Sequence, residues 1–147
     1  MLTWQVQLFD TDAYGIMWHG AYAKWLEYAR HHWLQQRGYT LQPPQAATVV
    51  FPVLEQQVRY KQAARQNDTL AIVTTLTVKL PRLVFEQQVL QVDDTQAKVL
   101  GVGVQSISLP AELPTVLIAE ATTTCLLTTP TFKPLRKLPP ELAFLAG

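Results

Sequence analysis

Residues 18–38 read WHGAYAKWLEYARHHWLQQRG. Within them Tyr22, Trp25, Leu26, Ala29 and Trp33 recur at three- and four-residue spacing, which lays one apolar stripe along a helix. Lys24, Arg30, His31 and Gln35 fall off that stripe, and Glu27 is spaced to pair with Arg30 or His31. Gly38 stands where a helix C-terminus favours a residue free to adopt positive φ. The spacing predicts one helix of about five turns over residues 18–37.

Outward from that helix the period changes. Before it, Trp4, Val6 and Leu8 alternate with Gln5 and Gln7, a strand pattern over Trp4–Phe9, and residues 10–17 break it as a loop. After Pro43-Pro44 the chain reads as strands. Alternation marks Val53–Lys61 and Thr69–Leu80, with Asn67-Asp68 between them in a turn that suits a hairpin. Leu83–Gln91 and Thr122–Thr128 are further strands, and Asp93-Asp94 is a further turn. Residues 101–117 are ambiguous, because Val102–Leu109 reads as strand while Pro110 and Pro114 favour a loop. Six of the ten prolines lie from Pro110 onward, so the chain beyond Pro130 is expected to run as an extended wrap. Strand, one long helix, then four or more antiparallel strands define a single α+β domain over residues 1–147. The helix stripe must be covered by the sheet.

Composition narrows the function classes. In 147 residues, 12 Lys and Arg balance 11 Asp and Glu, 48% are hydrophobic and 16% charged. That argues for a folded core and against disorder or a nucleic-acid-binding surface. No apolar run approaches the ~20 residues of a membrane helix, and the first residues lack a signal-peptide layout. One cysteine, Cys125, leaves no internal disulfide framework and too few thiols for a structural zinc site. The expectation is a cytoplasmic protein with no membrane insertion.

The densest polar cluster is Asp10-Thr11-Asp12-Ala13-Tyr14-Gly15, followed by Trp18-His19 at the helix start. One reading is local: Asp10 caps a turn, Asp12 bonds its own backbone, and His19 decorates the helix entrance. The other is chemical. Amides at a helix N-terminus are unsatisfied donors that stabilise a developing oxyanion, and a carboxylate delivered beside them serves as nucleophile or base. Gly15 would let the backbone approach a ligand, with Trp18 beside it. An Asp-x-Asp after a hydrophobic strand also opens the haloacid dehalogenase-type phosphatases, but those need a parallel sheet with alternating helices, and this chain offers one convincing helix. His31 and His32 are adjacent on that helix and point apart, which argues against a metal site with Asp10, Asp12 and His19. Cys125 lies in a Thr-rich β-like run and reads as a core thiol. Gly101-Val102-Gly103 lacks the rest of any phosphate-binding loop, so no cofactor is expected.

From Phe9 to Tyr22 (FDTDAYGIMWHGAY), continued by Trp25-Leu26-Glu27-Tyr28-Ala29-Arg30, the chain resembles hotdog-fold acyl-CoA thioesterases of the 4-hydroxybenzoyl-CoA thioesterase and Tol-Pal-associated type. Val58–Asp68 and Phe132-Lys133-Pro134 with Leu138-Pro139 are similar to later family segments. The resemblance implies a central helix wrapped by a curved antiparallel sheet, and a hydrolase acting on acyl-CoA. It further implies that homodimers pair their sheets edge to edge, often as a homotetramer, with active sites at the dimer interface. Asp12 matches the catalytic carboxylate, the His19 N–H matches the amide that polarises the thioester carbonyl, and the His19 side chain matches the histidine of the Tol-Pal-associated branch. Arg82 matches a position near the coenzyme A nucleotide, and Lys61, Arg65 and Lys79 are candidate phosphate contacts. Coenzyme A is then substrate rather than cofactor.

The sequence departs from the family in three places. Leu8 stands where that branch often has Tyr, Ala63 replaces a Pro, and residues 101–116 look like an insertion. Aromatic, short-chain and dihydroxynaphthoyl acyl groups all remain open, as does a nucleophilic or general-base role for Asp12. Two other readings use the same scaffold: an acyl-thioester hydratase or dehydratase, and a non-catalytic binder of acyl-CoA or acyl-carrier protein. The position of Asp12 just ahead of the helix argues against the first, and Asp12, Gly15 and His19 together argue against the second.

Overall fold

A computed structural model describes residues 2–43, 45–92 and 115–146. In chain order the elements are β1 (Leu2–Gln5), α1 (His19–Gln35), β2 (Val53–Tyr60), β3 (Thr69–Lys79), β4 (Arg82–Val92) and β5 (Thr115–Leu126). Short 3-10 turns lie at Leu8–Asp10 and Pro140–Ala146. The strands form one antiparallel sheet in the spatial order β1-β3-β4-β5-β2.

The helix forms where the apolar stripe predicts it. Ala21, Tyr22, Leu26 and Ala29 are buried against Ile72 of β3, Val89 of β4 and Ala119 and Ala121 of β5. Leu34 carries the stripe into a second cluster with Leu83, Phe85, Cys125 and Leu127. Each such Leu or Ile side chain contributes roughly 1.5–3 kcal/mol on burial. Trp25 and Trp33 lie at the margins of these clusters, partly buried. Gly38 ends the helix with φ +91°, and Tyr39 N–H returns to the Leu34 carbonyl at 3.1 Å. Cys125 is buried and free, and burial pushes its thiol pKa up, as befits a core residue.

Arg30, expected off the stripe, is buried. Its Nη1 donates to Gln87 Oε1 at 3.4 Å and Thr123 Oγ1 at 3.3 Å. Gln87 Nε2 donates in turn to the Leu26 carbonyl at 3.0 Å and Thr74 Oγ1 at 3.2 Å, while Gln56 Nε2 donates to Thr123 Oγ1 at 2.9 Å. These bonds stitch the helix to the sheet and satisfy groups that would otherwise be costly to bury. The available signal was Gln and Thr at inward strand positions between apolar neighbours.

Several boundaries differ from the sequence reading. The first strand ends at Gln5 and not Phe9, because the Asp10 carboxylate accepts the Gln7 N–H and turns the chain, leaving Leu8 and Phe9 exposed. Asn67-Asp68 does not close a hairpin between β2 and β3, which lie at separate places in the sheet. Eight residues separate those strands, and the turn (Asn67 at φ +73°) binds the end of β1 instead: Asn67 N–H donates to the Val6 carbonyl and Val6 N–H to the Asp68 carbonyl. β2 pairs with β5 and forms one edge of the sheet, with β1 at the other. β5 begins at Thr115, earlier than the pattern from Thr122 indicates. The C-terminal stretch is not extended throughout, since Pro140–Ala146 coils into a turn that buries Leu142. Asp93-Asp94 and residues 101–114 of the insertion lie outside the described residues, while Thr115 and Val116 belong to β5.

Candidate active site

The loop between β1 and α1 is built on two aspartates with opposite surroundings. Asp10 is enclosed. Its Oδ1 accepts Lys24 Nζ at 2.9 Å and Trp25 Nε1 at 3.1 Å, its Oδ2 accepts the Gln7 N–H at 3.0 Å, and its carbonyl accepts the Trp18 N–H at 3.0 Å. With three hydrogen bonds on its two oxygens and no exposed surface, this carboxylate is turned to the loop and the helix, as the local reading of Asp10 describes. Asp12 is half-buried. Its Oδ1 accepts the Tyr14 N–H at 2.8 Å and the Ile16 N–H at 3.4 Å, and its Oδ2 has no partner among the described residues. One oxygen is anchored and the other is available.

Asp12 sits in a closed turn: its N–H donates to the Ile16 carbonyl at 2.8 Å, and the Gly15 N–H donates to the Asp12 carbonyl at 3.0 Å. Gly15 adopts φ +76°, a conformation that strains any side chain. Its role here is the turn, and it does not line the cleft below.

Trp18 precedes α1 in an extended conformation, and no side chain caps the helix. The first amides, of His19 and Gly20, come before the first intrahelical bond. The Trp18 indole lies across the helix start, so a Cβ on Gly20 would stand 2.1 Å from its ring carbons. Gly20 was not singled out from the sequence, although it lies within the motif.

Asp12, Ile16, Met17, Trp18, His19 and Tyr22 form one wall of a cleft of about 370 Å³, and Tyr60, Lys61, Gln62 and Ala63 form the other. Ile16 is bridged to Arg65 and the Met17 N–H donates to the Ala64 carbonyl, which pins the loop to the segment after β2. The structure therefore brings together Asp12, Trp18, His19 and Lys61. Arg65 is exposed just outside the cleft. Lys79 and Arg82 pair across the β3–β4 turn and line a separate depression with Leu54, Glu55, Val84 and Thr124.

The sequence pattern puts Tyr22 on the helix stripe and Tyr60 in the strand alternation over Val53–Lys61, and marks neither as a cleft residue. Their rings meet edge to face at 5.0 Å. Burial, helped by Tyr60, pushes the Tyr22 phenol pKa up to about 12, and burial raises that of Tyr60 as well. Among the described residues no cluster of three His, Cys, Asp or Glu side chains is placed to hold a metal ion, and no helix is long and apolar enough to cross a membrane.

A strand-ended loop carrying Asp-x-Asp, a helix start open to a cleft and a five-stranded antiparallel sheet on that helix describe a hotdog domain, and comparisons with known proteins agree. Residues 6–127 match the family model described as the thioesterase-like superfamily, and the chain belongs to that family. It is 33% identical over 127 residues to the acyl-CoA thioester hydrolase YbgC of Escherichia coli, covering 82% of this chain and 95% of that protein. Its fold is similar to that of the 4-hydroxybenzoyl-CoA thioesterase of Pseudomonas sp. strain CBS-3, with TM-score 0.71 and 16% identity over 97% of this chain and 95% of the other. It is likewise similar to the 1,4-dihydroxy-2-naphthoyl-CoA thioesterase of Synechocystis, with TM-score 0.71 and 19% identity over 98% and 93% of the two chains.

Proposed function

We propose that this chain is an acyl-CoA thioesterase, hydrolysing a thioester to the free acid and coenzyme A. The observation that carries this reading is the Asp12 carboxylate: one oxygen is oriented by the amides of its own turn, the other has no partner among the described residues, and Asp12 lines the cleft that the helix start opens into. A thioester is already activated. Hydrolysis needs only a positioned carboxylate and stabilisation of the oxyanion, which a helix N-terminus supplies with fixed N–H groups and a favourable dipole. Asp12 acts as nucleophile, forming a mixed anhydride that water opens, or as the base that deprotonates water. The His19 N–H receives the developing charge in either route, and the His19 side chain positions water or the thioester. Lys61, with Arg65 just outside, is suited to the coenzyme A phosphates.

The same reading makes the protein a homodimer or homotetramer. β2 is one of the two edge strands of the sheet, its Val53, Leu54 and Tyr60 are exposed, and the cleft opens beside its end. An edge of that kind calls for pairing or cover. The single free, buried cysteine fits a reducing compartment, and the cytoplasm is the proposed location.

Release of thiol from a panel of aromatic, dihydroxynaphthoyl and short-chain acyl-CoAs tests the activity. Asp12→Asn is expected to cost at least ~10² in rate, the scale of losing a positioned acid–base group. Wild-type turnover in that variant would remove Asp12 from the chemistry. His19→Ala preserves the amide and should cost less than His19→Pro, which deletes it; the opposite order would make the imidazole the working group.

A further inference from the structure

Tyr22 is 3% exposed, yet it lines the cleft beside Asp12 and His19. Its hydroxyl has no hydrogen-bond partner among the described residues. Nor is that oxygen sealed away: among those residues the fully enclosed, unpartnered polar side-chain atom is Trp4 Nε1. A hydroxyl that is reachable but has no protein partner keeps its donor and its acceptor sites for whatever enters the cleft. A phenol kept in that condition at the wall of a cleft is provision for a ligand. The edge-to-face contact with Tyr60 at 5.0 Å holds the ring, so the hydroxyl is the part left to act.

The position within α1 narrows what that hydroxyl meets. Tyr22 lies three residues after His19, so the two share one helix face. Long helical side chains lean back over the turn before their own Cα, here the turn that opens with the His19 N–H. Resting on the thioesterase reading above, the geometry points to Tyr22 as a further catalytic residue, its hydroxyl donating a second hydrogen bond to the thioester carbonyl oxygen beside the His19 amide.

The step balances without proton transfer to or from the phenol. As the nucleophile adds to the carbonyl carbon, the C=O π pair moves onto oxygen, where the Tyr22 O–H and the His19 N–H both donate to it. As the pair returns, the C–S bond breaks and coenzyme A leaves as the thiolate. Its raised pKa keeps Tyr22 a protonated donor through the neutral range.

Two non-hydrolysable probes test this on the full chain, each made in benzoyl and butyryl series. One is the dethia acyl-CoA, a ketone with CH₂ in place of sulfur. The other is the S-alkyl-CoA thioether of matching length, which lacks the carbonyl. Wild-type protein should prefer the ketone, and Tyr22→Phe should lose about tenfold of that preference, the share of one net hydrogen bond, with thioether affinity unchanged. In turnover, Tyr22→Phe should lower kcat by roughly 10–10²-fold with KM little altered, below or near the range for deleting an oxyanion donor. Both probes are read on the same variant, so a loss of fold lowers them together. An unchanged ketone preference, or a parallel loss for both probes, overturns the role of Tyr22 and leaves the thioesterase reading standing. Wild-type protein that neither hydrolyses acyl-CoA nor binds either probe overturns that reading, and the Tyr22 assignment with it.

Discussion

The Lys24 ammonium donates to Asp10 Oδ1 at 2.9 Å, joining a half-exposed cation on the second turn of α1 to a carboxylate with no exposed surface. Trp25 donates to the same oxygen and the Asp10 carbonyl holds the Trp18 N–H, so Asp10 ties the loop both to the residue that precedes the helix and to the helix's second turn. Two residues later Asp12 keeps one oxygen without a partner among the described residues. The two aspartates of the motif thus divide the work: one fixes the loop, and the other faces the cleft.

Asp10→Asn should therefore destabilise the fold by about 1–3 kcal/mol, since Asn keeps one acceptor but loses the charge that Lys24 and the Gln7 N–H meet. Chemical denaturation measures the loss. Activity per folded molecule should fall much less than in Asp12→Asn, and the reverse ranking would hand the chemistry to Asp10.

Gln87→Leu should cost about 2–4 kcal/mol although the volume is nearly kept. It removes one acceptor from the buried Arg30 guanidinium and a side-chain donor to the Leu26 carbonyl. A thermal melt that matches wild type would show that the polar stitch between helix and sheet carries little of the stability.

The Tyr22 phenol has a folded-state pKa of about 12 against an ordinary value of 10.0. Between those values the unfolded chain releases the proton while the folded chain keeps it, so stability falls as pH rises from 10 toward 12 and is unaffected below. Denaturation midpoints across pH 9–12 should fall less steeply for Tyr22→Phe than for wild type, and parallel curves would count against the shift.

Sedimentation at micromolar concentration should give a dimer or tetramer mass. Replacing the exposed Leu54 on β2 with Lys should weaken that assembly while leaving the circular dichroism of the folded chain in place. A compact wild-type monomer would contradict pairing through this edge.

The long helix was legible in the chain because its stripe follows a local period and is answered by a single apolar face. The same holds for the strands that alternate cleanly and for the loop in which Asp12 bonds its own backbone four residues on. That Asp12 and His19 come near each other was legible for the same reason, since they stand seven positions apart in one motif and both line the same cleft. Tertiary structure alone decided which strands are neighbours. β2 and β3 follow one another yet lie at different places in the sheet, because pairing is settled by which faces the whole sheet buries and not by succession along the chain. It also decided the burial of Arg30, whose acceptors Gln87 and Thr123 stand 57 and 93 residues away. Tyr22 and Tyr60 belong to the same case: one fits a helix stripe and the other a strand alternation, and only the tertiary packing brings the two rings together and sets them on the two walls of one cleft.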